Sequence, residues 1–62
     1  MTTATKFVNK ADSSKVYAFN SRYNYAENAR AKAIELHESG KLAYYVRVQE
    51  RGNHYYDVRV AN

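Results

Sequence analysis

The chain has 62 residues, a formal net charge of +4, and no cysteine, tryptophan or proline. That length allows one domain with a thin core, and the missing cysteine excludes disulfides and thiolate metal sites, so packing must supply the stability. No apolar run is long enough to span a membrane, and residues 1–6 lack the apolar centre of a signal peptide, which predicts one cytoplasmic domain over residues 1–62.

Residues 1–4 are expected to be disordered. Residues 5–9 read as a short strand centred on Phe7 and Val8. Residues 10–14, Lys-Ala-Asp-Ser-Ser, are rich in turn formers, and residues 15–19 read as a second strand. The two are expected to pair as a hairpin, with Phe7, Tyr17 and Phe19 on its core face and Val16 and Ala18 facing away. Residues 20–23 connect this hairpin to the next element.

Residues 24–40 read as one amphipathic helix. Asn24 has the short oxygen-bearing side chain of an N-cap, Glu27 suits the positive end of the helix dipole, and Gly40 supplies a stop. Tyr25, Ala26, Ala29, Ala33 and Leu36 share one arc at helical spacing. Glu27, Glu35 and Glu38 lie on the other side. The apolar arc is mostly alanine, which brings the helix axis close to its partner and leaves the partner to supply bulk. Ile34 sits at the edge of the arc, and His37 falls where a cation complements the C-terminal dipole.

Residues 41–50 and 54–60 alternate as strands do. Leu42, Tyr44, Val46 and Val48 form one set in the first, and Tyr56, Val58 and Val60 one set in the second. A three-residue loop, Arg51-Gly52-Asn53, or another odd-numbered one, is expected because the three-residue loop brings these sets onto one face, with Val46 opposite Val58 and Val48 opposite Tyr56. Tyr45 then falls opposite Arg59, Arg47 opposite Asp57, and Gln49 opposite Tyr55. The outer face so built carries Tyr45, Arg47, Tyr55 and Arg59, with Lys15 and Arg51 as peripheral charges.

The fold expected is α+β: a ββαββ order with one helix on one face of a four-stranded sheet. The order is similar in layout to the immunoglobulin-binding domains of protein G, a likeness of architecture that carries no function. Strand order stays open between a parallel pairing of the outer strands and an all-antiparallel sheet.

The pattern gives no sign of catalysis. Ser13 and Ser14 sit in a turn far in sequence from His37 and His54, and two glycines at positions 40 and 52 make no phosphate-cradling loop. The carboxylates and histidines have no metal-ligand spacing, so no cofactor, metal or small-molecule substrate is expected. Seven tyrosines and an excess of cations point to a binding module instead. An anionic partner such as nucleic acid would stack bases on the exposed tyrosines and pair phosphates with the arginines. A protein surface would use the same Tyr and Arg side chains as anchors, as in small virus-encoded or mobile-element proteins that block a host enzyme. A homodimer through the tyrosine-rich face is the third possibility.

From Ala18 onward the chain also resembles part of a SPOR domain. The matching elements are Ala18-Phe19, then Asn28-Ala29, Leu36, Gly40 and Ala43, then Tyr55-Tyr56-Asp57-Val58-Arg59-Val60. The resemblance implies glycan binding outside the cytoplasm. The family's second helix and last strand have no counterpart here, and no glycan-contact residues carry over.

Overall fold

A computed structural model describes residues 7–61. They form β1 (Ala18–Tyr23), α1 (Ala26–Glu38), β2 (Leu42–Glu50) and β3 (Asn53–Ala61). The strands make an antiparallel three-stranded sheet in the order β1-β3-β2, with the helix on one face. The α+β class and the single helix agree with the sequence pattern, and the four-stranded ββαββ sheet does not. Residues 1–4 and the first two of the expected first strand, Thr5 and Lys6, lie outside the described residues.

Residues 7–9 make no strand. Instead Phe7 packs against the core, and the Asn9 side chain takes the Tyr45 amide at the β2 edge (N to Oδ1 2.9 Å). A side-chain acceptor satisfies one backbone donor but cannot start a ladder. The chain then turns at Ser13-Ser14. Here the Asp12 carboxylate accepts from the Ser14 hydroxyl (2.7 Å) and amide (2.9 Å). These bonds hold Asp12 below its ordinary value of 3.8. Their stabilisation is present above that value and is lost as pH falls through the depressed one.

The next strand starts later and runs further than expected. It covers residues 18–23, including the segment read as a connection, because Ser21, Arg22 and Tyr23 pair with Val58, Asp57 and Tyr56 of β3. The register shifts between Phe19 and Ser21, a local bulge.

The helix is shorter by two residues at each end than the sequence suggested, and its N-cap is Tyr25, not Asn24. Tyr25 is extended (φ −122°, ψ 139°), 66 % exposed, and makes no side-chain cap bond. At the other end the expectation holds. Gly40 takes φ 96°, its amide reaches the His37 carbonyl (3.0 Å) and the Lys41 amide reaches Leu36 (3.1 Å). This is a Schellman closure, which needs the left-handed residue that glycine supplies. Ala29 and Ala33 are fully buried and Leu36 packs beside them, so this part of the expected arc faces the sheet, whereas Tyr25 and Ala26 at its start are exposed.

The bulk against that arc comes from Val58, Val60, Tyr56, Tyr45, Tyr23 and Phe7. Of the three residues expected to supply it, only Phe7 does. Tyr17 lies edge-on to Tyr44 (centroids 4.9 Å apart), and Phe19 is 57 % exposed.

The β2–β3 hairpin closes with a two-residue loop, Arg51-Gly52, between the paired residues Glu50 and Asn53. Both loop residues have positive φ (50° and 83°), the type I′ conformation whose twist suits a hairpin. Val46 therefore lies opposite Asp57 and Val48 opposite Tyr55, which overturns the three-residue loop and its register. The helix explains why the shorter loop wins. Its alanine face approaches closely, and that approach needs small Ala43 beneath it, with Leu42 and Tyr44 turned away. Arg51 carries the backbone strain of this turn. Arg51→Asn is expected to stabilise the domain by about 0.5–1 kcal/mol, read from the thermal midpoint, because asparagine enters the left-handed region at lower cost.

Candidate interaction face

The register divides the four residues expected to share one face. Tyr45 packs against the core on the helix side of the sheet. Arg47 is two residues further along the same side, and its Nη2 lies 3.3 Å from Nδ1 of His54. Tyr55 and Arg59 are on the opposite face. Lys15 lies in the exposed N-terminal turn and Arg51 at the hairpin tip. The common aromatic and basic surface of Tyr45, Arg47, Tyr55 and Arg59 is therefore not formed. A one-residue change of register moves every side chain of a strand to the other face.

What occupies the face away from the helix is a different set, arranged in rows by the pairing. Leu42 lies beside Ala61. Phe19, Arg59 and Tyr44 form the next row, then Arg22, Asp57 and Val46, then Tyr55 beside Val48. Leu42 and Val46 are each 37 % exposed. Alternation alone predicts four of these positions (Leu42, Tyr44, Val46 and Val48) to face the core, and the observed register turns them away from it.

Asp57 is the one buried charged residue among the described residues, at 3 % exposure. Arg22 grips it with two hydrogen bonds, Nε to Oδ1 at 2.7 Å and Nη2 to Oδ2 at 3.1 Å. This forked geometry matches a planar guanidinium to a carboxylate. The same guanidinium reaches Glu50 (Nη1 to Oε1 3.3 Å) and lies 4.8 Å from the Tyr55 ring centroid. The Asp57 carboxylate holds Arg22 above its already high ordinary pKa, so the cation persists through the accessible range.

Two consequences follow for the chemistry of the face. First, Tyr17 meets Tyr44 edge-on, and Arg22 lies over the ring of Tyr55. Second, the acids of the face are already matched, and Arg59 makes no ion pair among the described residues. The sequence pattern sets Arg47 opposite Asp57, whereas in the structure Arg47 lies opposite Tyr56 and the cation that meets Asp57 is Arg22. A carboxylate set between Tyr56 and Val58 in a central strand calls for a cation across the sheet, and Arg22 was the residue to look for.

Elsewhere, a shallow hollow lies between the start of the helix and the hairpin tip, lined by Asn24, Tyr25, Gly52, Asn53, His54 and Tyr55. Among the described residues no group of three or more His, Cys, Asp or Glu is placed to hold a metal ion, and no helix is long and apolar enough to cross a membrane. No family model, curated protein or solved structure matches the chain, so the fold and this face stand on the residues themselves.

Proposed function

We propose that this protein is a small non-enzymatic binding domain that engages another protein through the sheet face away from the helix. The observation that carries this reading is the state of that face. Leu42, Val46 and Phe19 are left in water, while the acids are paired with Arg22 and Tyr44 and Tyr55 already make ring contacts. Interface cores are poor in unpaired charge and rich in aromatic, aliphatic and arginine side chains. Two nine-residue strands and one of six, at ~3.3 Å per residue and ~4.8 Å apart, span about 400 Å², part of it already covered where Tyr17 packs on Tyr44. That is about half of one partner's share in a standard interface, so a contact confined to the face belongs to the transient class.

Affinity capture with paired variants tests the reading. Wild-type protein and the helix-face variant Glu35→Lys are expected to retain the same stoichiometric protein partner from nuclease-treated extract, and Val46→Lys to lose it. Retention by Val46→Lys, with Glu35→Lys losing the partner, would place the contact on the helix.

A second reading rests on charge. Lys10, Lys15, Arg30, Lys41, Arg47, Arg51 and Arg59 make no ion pair among the described residues, and the chain carries +4 overall. In this reading they draw an anionic polymer to the surface. Fluorescence anisotropy with short single-stranded DNA and RNA over a salt series decides it. Affinity that falls steeply with salt supports the polymer, and no binding at low salt removes it.

A further inference from the structure

We infer that the protein partner of the outer sheet face brings a carboxylate set among apolar side chains, and that Arg59 receives it. The inference rests on the protein-binding reading above and names the partner's chemistry. Arg59 is half-buried on the central strand, with Phe19 and Tyr44 as its neighbours in register on either side. The acids nearest in register, Asp57 and Glu50, are both engaged by Arg22. Among the described strand residues the face therefore presents one cation with no acid paired to it.

Covering Phe19 and Val46 with a partner also takes the Arg59 guanidinium out of water. A buried cation left unpaired is strongly unfavourable, so the covering surface must carry an acceptor. A carboxylate suits the guanidinium fork, and the next row of the same sheet already holds such a pair in Arg22 and Asp57. A second copy of this chain fits less well. The face it would present repeats the uncompensated Arg59, and among its described strand residues both acids, Asp57 and Glu50, are already engaged by Arg22.

The test is selection of a random-peptide display library on the folded wild-type chain. The selected peptides are then measured against Arg59→Glu, Arg59→Gln and Val46→Lys, each checked for native circular dichroism. Peptides enriched in Asp or Glu flanked by apolar residues are expected. Their affinity should fall by about tenfold or more with Arg59→Glu, less with Arg59→Gln, and should vanish with Val46→Lys. Selection on Arg59→Glu should enrich Lys or Arg at the same position. Peptides lost with Val46→Lys but retained by both Arg59 variants would overturn the carboxylate and leave the face intact. Peptides indifferent to Val46→Lys would overturn the face itself, and an empty selection would overturn the inference. Concentration-dependent dimerisation abolished by Val46→Lys would put a second copy in place of the acidic partner.

Discussion

Val58→Ala is expected to lower stability by about 2–3 kcal/mol, a drop of about 10–20 °C in the thermal midpoint. Val58 is the largest fully buried side chain among the described residues, and it sits where the helix alanines meet the central strand. Removing its two methyl groups leaves a hole that the backbone cannot close, because Ala29, Ala33 and Ala43 have nothing to move into it. A chain of 62 residues holds roughly 3–9 kcal/mol in total on the usual per-residue scale, so this one change consumes a large share. The opposite error is instructive too. Ala33→Leu adds bulk at a site with no exposure and should cost about 1–3 kcal/mol by lifting the helix off the sheet. A midpoint unchanged by Val58→Ala would mean that the helix does not rest on this residue.

Arg22→Met is expected to be the most damaging change on the outer face, although it removes a residue that still reaches solvent. The reason lies with its partner. The Asp57 carboxylate is 3 % exposed, and without the guanidinium it becomes a buried unpaired charge. Stranding one member of a fully buried pair costs about 3–5 kcal/mol, and the water reaching this site puts the expectation at the lower end. The double variant Arg22→Met/Asp57→Leu should recover most of that loss, since replacing both partners by apolar groups leaves no charge to solvate. Urea denaturation of the two single variants and the double variant measures the coupling directly. Additive losses would mean that the fork contributes no specific interaction. Recovery in the double variant would show that the pair fixes which residues face each other more than it raises stability.

The parts of the fold that were legible in the sequence are those set by local rules. Ala29, Ala33 and Leu36 recur at helical spacing, and the structure buries that stripe. Gly40 marks the helix end because the Schellman closure needs a left-handed residue, which glycine supplies without steric cost. Residues 42–50 and 53–61 alternate too regularly to be anything but strands. What could not be read locally was which alternate set faces the helix. Tyrosine is at home on either face, so Tyr44 and Tyr45 give no preference, and the aliphatic set of Leu42, Val46 and Val48 looked like core. The choice is made at a distance, by an alanine-lined helix that needs Ala43 close beneath it and by Asp57, which needs Arg22 beside it. The two-residue turn then fits both demands at the cost of strain at Arg51.

The same reasoning explains the first strand. Asn20 to Tyr23 has few strand formers, and it pairs because β3 offers an open edge and Asp57 requires its cation. The segment with the better pattern, around Phe7 and Val8, is drawn instead to the helix C-terminus. There Phe7 packs against His37 with ring centroids 5.8 Å apart. The candidate site inherited these errors. Its face depended on a register, and of its six residues only Tyr55 and Arg59 lie on the outer sheet face.

Everything proposed for that face depends on Val46 and its neighbours pointing away from the helix. The direct measurement is the cross-strand Hα–Hα contact pattern of the hairpin by nuclear magnetic resonance. Tyr45 donates its amide outward to Asn9, so Tyr45 and Val58 form a non-hydrogen-bonded pair with their Hα atoms close together. Strong Hα–Hα contacts are expected for Tyr45 with Val58 and for Arg47 with Tyr56. A contact between Val46 and Val58, or between Arg47 and Asp57, would put the aliphatic residues beneath the helix and remove the proposed binding face.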